Sequence, residues 1–295
     1  MKGFTYHEPN SIGDAVNLLN DNGARASLIA GGTDLVIKMK QGKSEPEHVI
    51  SLQSIPGINE IKYSGEELRI GSMVTHRAIE QSKIIRDKFS LLADAVDNLG
   101  SVQVRNLATI GGNICNGAPS ADTVGPLMAL DAVLLFEGPE GERSIPITDY
   151  FHGPGKTAQA ANEILKEIVI HDLPPGSCSR YIKYTRRKAM DLPLLGIALV
   201  LVSDGAEDVC KEARIGLTLA APTPIRATKT EEYVAGKPLR SSAMWDEAGN
   251  IAVNESSPRT SFRTTSAYRK KIIQALLPRA AFEAIRRLSE QQRKG

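Results

Sequence analysis

The chain has 295 residues, 41% of them hydrophobic and 24% charged, values ordinary for a soluble globular protein and a length that holds two or three domains. No stretch approaches the roughly 18 apolar residues of a bilayer span, and Met1 to Tyr6 carries no apolar signal core, which points to the cytoplasm without membrane insertion. The formal net charge of +2 hides an asymmetry: from Arg259 onward 10 Lys/Arg meet 2 Asp/Glu, a tail whose basicity would suit nucleic acid.

In chain order, Ser11 is placed to cap a helix whose apolar face is Ile12, Ala15, Val16, Leu18 and Leu19, and Asn22-Gly23 ends it. Leu28-Ile29 reads as a short strand. It runs into Ala30-Gly31-Gly32-Thr33-Asp34, which opens a segment of helical spacing (Leu35, Val36, Met39). Val49 to Leu52 is a second strand, so the first 55 or so residues read as a small βαβ layer. Ile58 to Ser72 reads as a hairpin turning at Ser64-Gly65, and Thr75 is placed to cap a helix through Ile79. Phe89 to Leu99 has helical spacing and delivers the chain to a second glycine pair, Thr109-Ile110-Gly111-Gly112-Asn113. Ala118 to Asp122 is a polar turn from which Ser120 or Asp122 could cap Val124 to Ala129. Val133 to Phe136 and Ser144 to Ile147 make a hairpin about Glu140-Gly141, and Glu163 to Ile170 is the last strand of this half.

Pro174-Pro175-Gly176-Ser177 marks a domain boundary. Beyond it, Tyr181 to Thr185, Gly196 to Val202 and Ile215 to Ala220 read as a three-stranded antiparallel sheet. Helices are expected at Thr228–Ala235, Ser242–Glu247 and Ser266–Leu288, the last broken by Pro278. The apolar spacing of Tyr268, Ile272, Ile273 and Leu276 makes the basic tail the charged face of a packed helix rather than a nucleic-acid arm.

The two glycine pairs are the chemical signal. Successive backbone N–H groups around such a pair can point into one concavity and hold a phosphate, with Thr33 and Asn113 adding side-chain groups. Two such nests suit the pyrophosphate of a dinucleotide; the other reading of each is a plain turn. Other signals fail. Gly153-Pro154-Gly155-Lys156-Thr157 ends like a P-loop, but the position that needs the first glycine is Tyr150. There is no GxGxxG after a strand, no GxSxG elbow and no HExxH. Cys115, Cys178 and Cys210 are too far apart for a CxxC pair or a cluster ligand set and fit reduced thiols. His7, His48, His76, His152 and His171 are scattered and are expected on the surface or hydrogen-bonded, not on a metal.

With both glycine motifs and their spacing in view, the chain resembles the FAD-binding medium subunits of molybdenum hydroxylases. That family includes bacterial xanthine, carbon monoxide, nicotinate and hydroxybenzoyl-CoA dehydrogenases. The long run Ile114-Cys115-Asn116-Gly117-Ala118-Pro119-Ser120-Ala121-Asp122 resembles the family's flavin-flanking turn. Ala221 to Arg226 and Arg263 to Arg269 resemble parts of its C-terminal domain, and the Phe151 to Lys156 segment is most like bacterial xanthine dehydrogenase subunits. The inserted cluster-bearing segment of the hydroxybenzoyl-CoA branch has no counterpart here.

The resemblance implies an α+β architecture: a two-subdomain FAD-binding fold of the PCMH/vanillyl-alcohol-oxidase type over residues 1–175 (subdomains about 1–56 and 57–175), then a C-terminal domain over 178–290. It implies electrons passing from [2Fe–2S] clusters on a small subunit, themselves fed from molybdopterin on a large subunit, through FAD to NAD, in a dimer of heterotrimers. It also implies sites. Ser27, Leu28, Ile29 and Ala30 lead into the amides of Gly31, Gly32, Thr33 and Asp34. With Thr109, Ile110, Gly111, Gly112 and Asn113 these bind the pyrophosphate; Asp122 accepts from sugar hydroxyls; Leu165 and Lys183 meet the flavin ring. No histidine lies in either motif, so FAD is expected to be non-covalent. A carbon monoxide or nicotinate dehydrogenase complex, a stand-alone flavin oxidoreductase and a basic-tailed nucleic-acid binder are the competing readings. The stand-alone oxidoreductase lacks a convergent acid–base pair, and the nucleic-acid binder leaves the two nests unexplained.

Overall fold

Elements are numbered along the chain of the computed structural model, which describes residues 1–205 and 208–292. They separate into two units, each assembled from three stretches of chain. The first takes Met1–Gln81, Ser101–Gly117 and Ala132–His171; the second takes Ser82–Gly100, Ala118–Asp131 and everything described from Asp172 on.

In the first unit, β1 (Thr5–His7), β2 (Ala26–Ile29) and β3 (His48–Ser51) form a parallel sheet in the order β1-β3-β2. Helix α1 (Ile12–Asn22) connects β1 to β2, and α2 (Leu35–Lys40) connects β2 to β3, so the βαβ layer is present with β1 as an added edge. The Ser11 hydroxyl caps α1 by accepting from the Asp14 amide at 3.0 Å. The buried face of α1 (Ile12, Ala15, Val16, Leu19) packs with Ile50, Leu52, Ile55, Ile58, Met73 and Ile164. A second, antiparallel sheet has the order β4-β5-β10-β6-β7, from β4 (Ile61–Ser64), β5 (Glu67–Gly71), β6 (Val133–Gly138), β7 (Gly141–Pro146) and β10 (Ile164–His171).

Helix α3 (His76–Gln81) follows β5, and the Thr75 hydroxyl accepts from the Ala78 amide as the sequence suggests. Helices α4 (Lys83–Lys88) and α5 (Ser90–Asp97) belong to the second unit, and α6 (Val102–Leu107) and α7 (Ile110–Cys115) return to the first. The Gly153 to Thr157 segment is a tight hairpin of β8 (Phe151–Gly153) and β9 (Lys156–Thr157), pinned where the Gly155 amide donates to Gly117 O at 3.0 Å.

The second unit is built on β11 (Ser177–Tyr184), β12 (Leu195–Ser203), β13 (Cys210–Thr218) and a two-residue edge, β14 (Ile225–Arg226), which extends the expected three-stranded sheet. All nine residues of β12 are buried because both its faces are covered. Leu195, Ile197, Leu199 and Leu201 face a core shared with Trp245, Ile273, Leu277 and Ala281. These last come from α10 (Ser242–Glu255) and α11 (Ser266–Gln292), which α9 (Thr228–Val234) precedes. On the alternate face of β12 and β13 lies α8 (Val124–Ala129), seated at backbone contact: a Cβ on Gly125 would stand 3.8 Å from the Ala198 Cβ, and one on Gly216 would meet the Gly125 carbonyl. This glycine contact fixes the segment before α8, including Asp122, against the sheet.

Two local expectations are corrected. The cap residue of α8 is Thr123, without a side-chain cap bond; Asp122 is turned to partners on β11 instead. Helix α11 runs through Pro278 unbroken. The proline removes the donor for the Gln274 carbonyl, and α10 lies against that oxygen at Gly249, where a Cβ would stand 2.9 Å from it. The expected break is absent, and the turn that carries Pro278 is packed closely against α10.

Candidate cofactor site

Strand β2 delivers Ser27, Leu28 and Ile29 to the first glycine motif, and α2 begins directly after it at Leu35. Gly32 has φ +70°, a left-handed conformation that only glycine adopts freely. The chain so bent leaves the amides of Gly31, Gly32, Thr33 and Asp34 without an acceptor among the described residues, and the Thr33 hydroxyl likewise makes no hydrogen bond there. Gly31, Gly32 and Thr33 are half-buried. Asp34 at the end of the run is exposed, so the four donors open to the outside in succession, an arrangement that fits an external anion such as a pyrophosphate. A Cβ on Gly32 would point at Val36 and Ile29, not outward. Glycine is required there for its backbone angle.

The second motif is built differently. The Ile110 amide donates to Val74 O (3.0 Å), Gly111 to Ser72 O (2.9 Å), and Asn113 to Thr109 O (3.0 Å). Thr109 caps α7 by accepting from the Gly112 amide at 3.0 Å. The expectation that the Gly111 and Gly112 amides are donors to a ligand is therefore corrected: both are occupied within the protein, and it is Thr109 that keeps its backbone N–H and its hydroxyl hydrogen to donate. Gly111 serves close approach, since a Cβ there would fall 2.7 Å from the Ser72 Cβ; a Cβ on Gly112 would crowd the capping Thr109 hydroxyl at 3.1 Å and make only ordinary contact with the Ala30 Cβ at 3.9 Å.

The two motifs do meet. Gly31 abuts the Leu107 carbonyl, with Ala108 Cα 3.0 Å from where its Cβ would be. Asn116, just past α7, clamps them from the side: its amide donates to Asp34 Oδ1 at 3.2 Å, and its oxygen accepts from Lys38 Nζ at 2.7 Å. The sequence places Asn116 within the run that resembles a flavin-flanking turn but gives it no role, and nothing in its local spacing marks Lys38.

In the second unit, Asp122 and Lys183 are bonded to one another. Lys183 Nζ donates to Asp122 Oδ2 at 2.8 Å and to the Asn98 carbonyl at 2.9 Å, and both side chains are 6% exposed. Tyr181, two residues before Lys183 on β11, donates its hydroxyl to Asp122 Oδ1 at 3.2 Å. Burial raises the Asp122 carboxyl above its ordinary value, while the Lys183 charge and the hydrogen bonds from Lys183 and Tyr181 pull it down. The sequence does not place Tyr181 in the site; the one signal that points to it is that residues i and i+2 of a strand share a face, which sets it beside Lys183 but does not reveal Asp122 as their common partner.

Leu165 lies buried on β10 at a bulge between Leu165 and Glu167 opposite β6. His76 differs from the expected surface or hydrogen-bonded histidine. It is fully buried at the start of α3, neither ring nitrogen has a partner among the described residues, and burial, aided by the Arg105 charge, pushes it down to about 4. Cys115 is pushed up to about 11 by burial, an inert thiol at neutral pH. Among the described residues no group of three or more His, Cys, Asp or Glu could hold a metal, and no helix is long and apolar enough to cross a membrane.

The first unit combines its two larger sheets with the run of amides left unbonded among the described residues, and an antiparallel sheet backed by helices follows in sequence. Residues 2–171 match the family described as the FAD binding domain in molybdopterin dehydrogenase, and residues 180–284 match the CO dehydrogenase flavoprotein C-terminal domain. The xanthine dehydrogenase FAD-binding subunit of Escherichia coli O157:H7 is 33% identical, covering 95% of this chain and 96% of the relative. The carbon monoxide dehydrogenase medium chain of Hydrogenophaga pseudoflava is 33% identical over 94% and 95%. A solved carbon monoxide dehydrogenase structure from that organism superposes with a TM-score of 0.93 at 32% identity, covering 97% of this chain and 98% of the other. The chain belongs to the FAD-binding medium subunits of the molybdenum hydroxylase family, and it is an oxidoreductase subunit with the α+β architecture of that family.

Proposed function

We propose that this chain is the FAD-carrying electron-transfer subunit of a xanthine or purine dehydrogenase-like complex, working in the cytoplasm. It takes electrons from [2Fe–2S] clusters of a small subunit and passes them to NAD, while a large subunit holds molybdopterin and a dimer of heterotrimers forms the whole. No nucleic acid has a part in this reading. Non-covalent FAD supplies the chemistry of accepting and releasing electron pairs; the protein's share is to bind and tune it. The observation that carries the reading is the run of four unoccupied amides at Gly31, Gly32, Thr33 and Asp34.

In this reading those amides and the Thr33 hydroxyl hold the pyrophosphate. Ser27 to Ala30 shape the approach, and Thr109 to Asn113 form the opposing wall. Asp122, Leu165 and Lys183 meet the sugar and ring portions. Along the sequence, residues 1–175 act as the FAD domain and 178–290 as the C-terminal domain, although Ser82–Gly100 and Ala118–Asp131 cluster with the later residues. The carbon monoxide and nicotinate dehydrogenase relatives support the same role beside a different organic substrate, whose choice lies with another chain.

The purified chain is expected to show flavin absorption bands, to oxidise NADH with an artificial acceptor, and to leave purines untouched. Gly32→Val imposes a β-branched residue on a left-handed backbone, a strain of about 1–2 kcal/mol, and is expected to abolish FAD retention with modest loss of stability. Full flavin content in that variant would refute the nest, and purine turnover by this chain alone would refute the division of labour.

A further inference from the structure

We infer that Asp122, Lys183 and Tyr181 act on the bound flavin as one hydrogen-bonded unit, in which Asp122 offsets the lysine charge and Tyr181 is the positioning residue that holds Asp122 to that task. The inference rests on the proposed reading that this cluster faces FAD. Its geometry is already complete within the second unit. Asp122 Oδ2 takes Lys183 at 2.8 Å, Asp122 Oδ1 takes the Tyr181 hydroxyl at 3.2 Å, and the Asn98 carbonyl takes a second lysine proton at 2.9 Å. One of the three ammonium hydrogens remains. Lys183 therefore does not present a free cation to a neighbour; it presents one half of a buried pair.

The cluster is built into the packing. Gly125 and Gly216 set α8, and with it Asp122, against the sheet, and the absence of a side chain at Gly196 leaves room for the Tyr181 hydroxyl, which would lie 2.9 Å from a Cβ there. On α11, which packs on β11, Arg287 is bound to Asp94, and Glu283 to Arg180 and Arg279. Helix α8 and strand β12 carry no titratable side chain. On α5, Asp94 is bound by Arg180 and Arg287, and Asp97 by Arg86. On β13, Arg214 is paired with Glu212 and Asp131, which leaves Lys211 and the buried Cys210. Asp122 is thus governed by Lys183 and Tyr181, the two groups that oppose the effect of burial on its carboxyl.

Tyr181→Phe removes a hydrogen bond to the carboxylate, so Asp122 takes up a proton at higher pH than in the wild type. Once it is neutral, the lysine charge is no longer offset, and a reduced, anionic flavin is favoured. The test is the two-electron midpoint potential of FAD bound to the full chain, followed spectrally with a reference dye between pH 6 and 9. Lys183→Met is expected to lower the potential and Asp122→Asn to raise it. Tyr181→Phe is expected to match the wild type at high pH and to move towards Asp122→Asn as pH falls, with its onset at higher pH than in the wild type.

A carboxyl resonance titration of Asp122 in the FAD-free chain provides a reading independent of cofactor, and also serves if Asp122→Asn fails to fold. Its midpoint is expected to rise in Tyr181→Phe, and an unchanged midpoint overturns the inference. A lowered potential in Lys183→Met with no rise in Asp122→Asn overturns it as well, while leaving the flavin-facing reading intact. Flavin-loaded Lys183→Met and Asp122→Asn that both keep the wild-type potential overturn that underlying reading.

Discussion

The two glycine motifs share small residues and a glycine pair, yet they do opposite things with their backbones. At Gly31 to Asp34 the amides are left unoccupied by the protein; at Ile110 to Asn113 each of the four amides has an acceptor inside it. The difference comes from the local bend and the neighbouring chain at each pair. Gly32 turns left-handed and points its neighbours' donors away from the chain, whereas Thr109 caps a helix and Ser72 to Val74 run alongside as an acceptor wall. A glycine pair is therefore a licence for close approach, and whether that approach is to a ligand or to another strand depends on distant residues.

The largest expected effect tests whether the motifs really abut. Gly31→Val would drive its Cβ into the Leu107 carbonyl, with the Leu107 carbonyl carbon at 2.6 Å. Overpacking of that kind costs about 3 kcal/mol, so denaturant unfolding should show a clear fall in midpoint together with loss of flavin. A wild-type midpoint and full flavin content would separate the two motifs.

The next effect concerns the wall behind the second motif. The His76 amide donates to Ala108 O at 3.0 Å, and its ring stays neutral because burial holds it near 4 against an ordinary 6.5. The unfolded chain then binds the proton first. Stability present at neutral pH should be lost as pH falls from about 6.5 to about 4, by a sum on the order of 3 kcal/mol, and level off below that. In His76→Phe the slope over this window should flatten; an equally steep slope in the variant would assign the acid sensitivity to other groups.

The smallest effect sharpens the contrast. Thr109→Val removes the cap on the Gly112 amide, for about 1 kcal/mol. Because that amide serves the protein, FAD affinity should fall less than tenfold, far short of the loss in Gly32→Val. Equal losses in the two variants would make the second motif a ligand nest after all.

Much of this was legible in local sequence because local rules decide it. The Ser11 cap, the Ser64-Gly65 and Glu140-Gly141 hairpins, and the Val124–Ala129 helix depend on residues within four positions of one another. The first motif was legible for the same reason, since its bend is set by its own glycine. What escaped depends on residues far apart in the chain. The acceptors for the Ile110 and Gly111 amides lie 36 and 39 positions earlier, at Val74 and Ser72. Asp122 finds Tyr181 and Lys183 59 and 61 positions later, and the Pro278 turn of α11 packs closely on Gly249 of α10. No periodicity encodes such meetings.

The interleaving of the two units bears on how the chain is made. The first unit has received its last stretch once His171 has emerged from the ribosome. The second has not: α5, with Leu91, Leu92, Ala95 and Val96 buried in the finished protein, emerges early, yet Arg180 and Arg287, which bind its Asp94, lie on β11 and near the end of α11. At ordinary elongation speeds of about 5–20 residues per second, that apolar helix waits on the order of ten seconds or more for its partners. During that interval the nascent chain carries a nearly finished half and an unsheltered fragment of the other, which makes this helix the place where chaperones would be needed and where truncated products would aggregate.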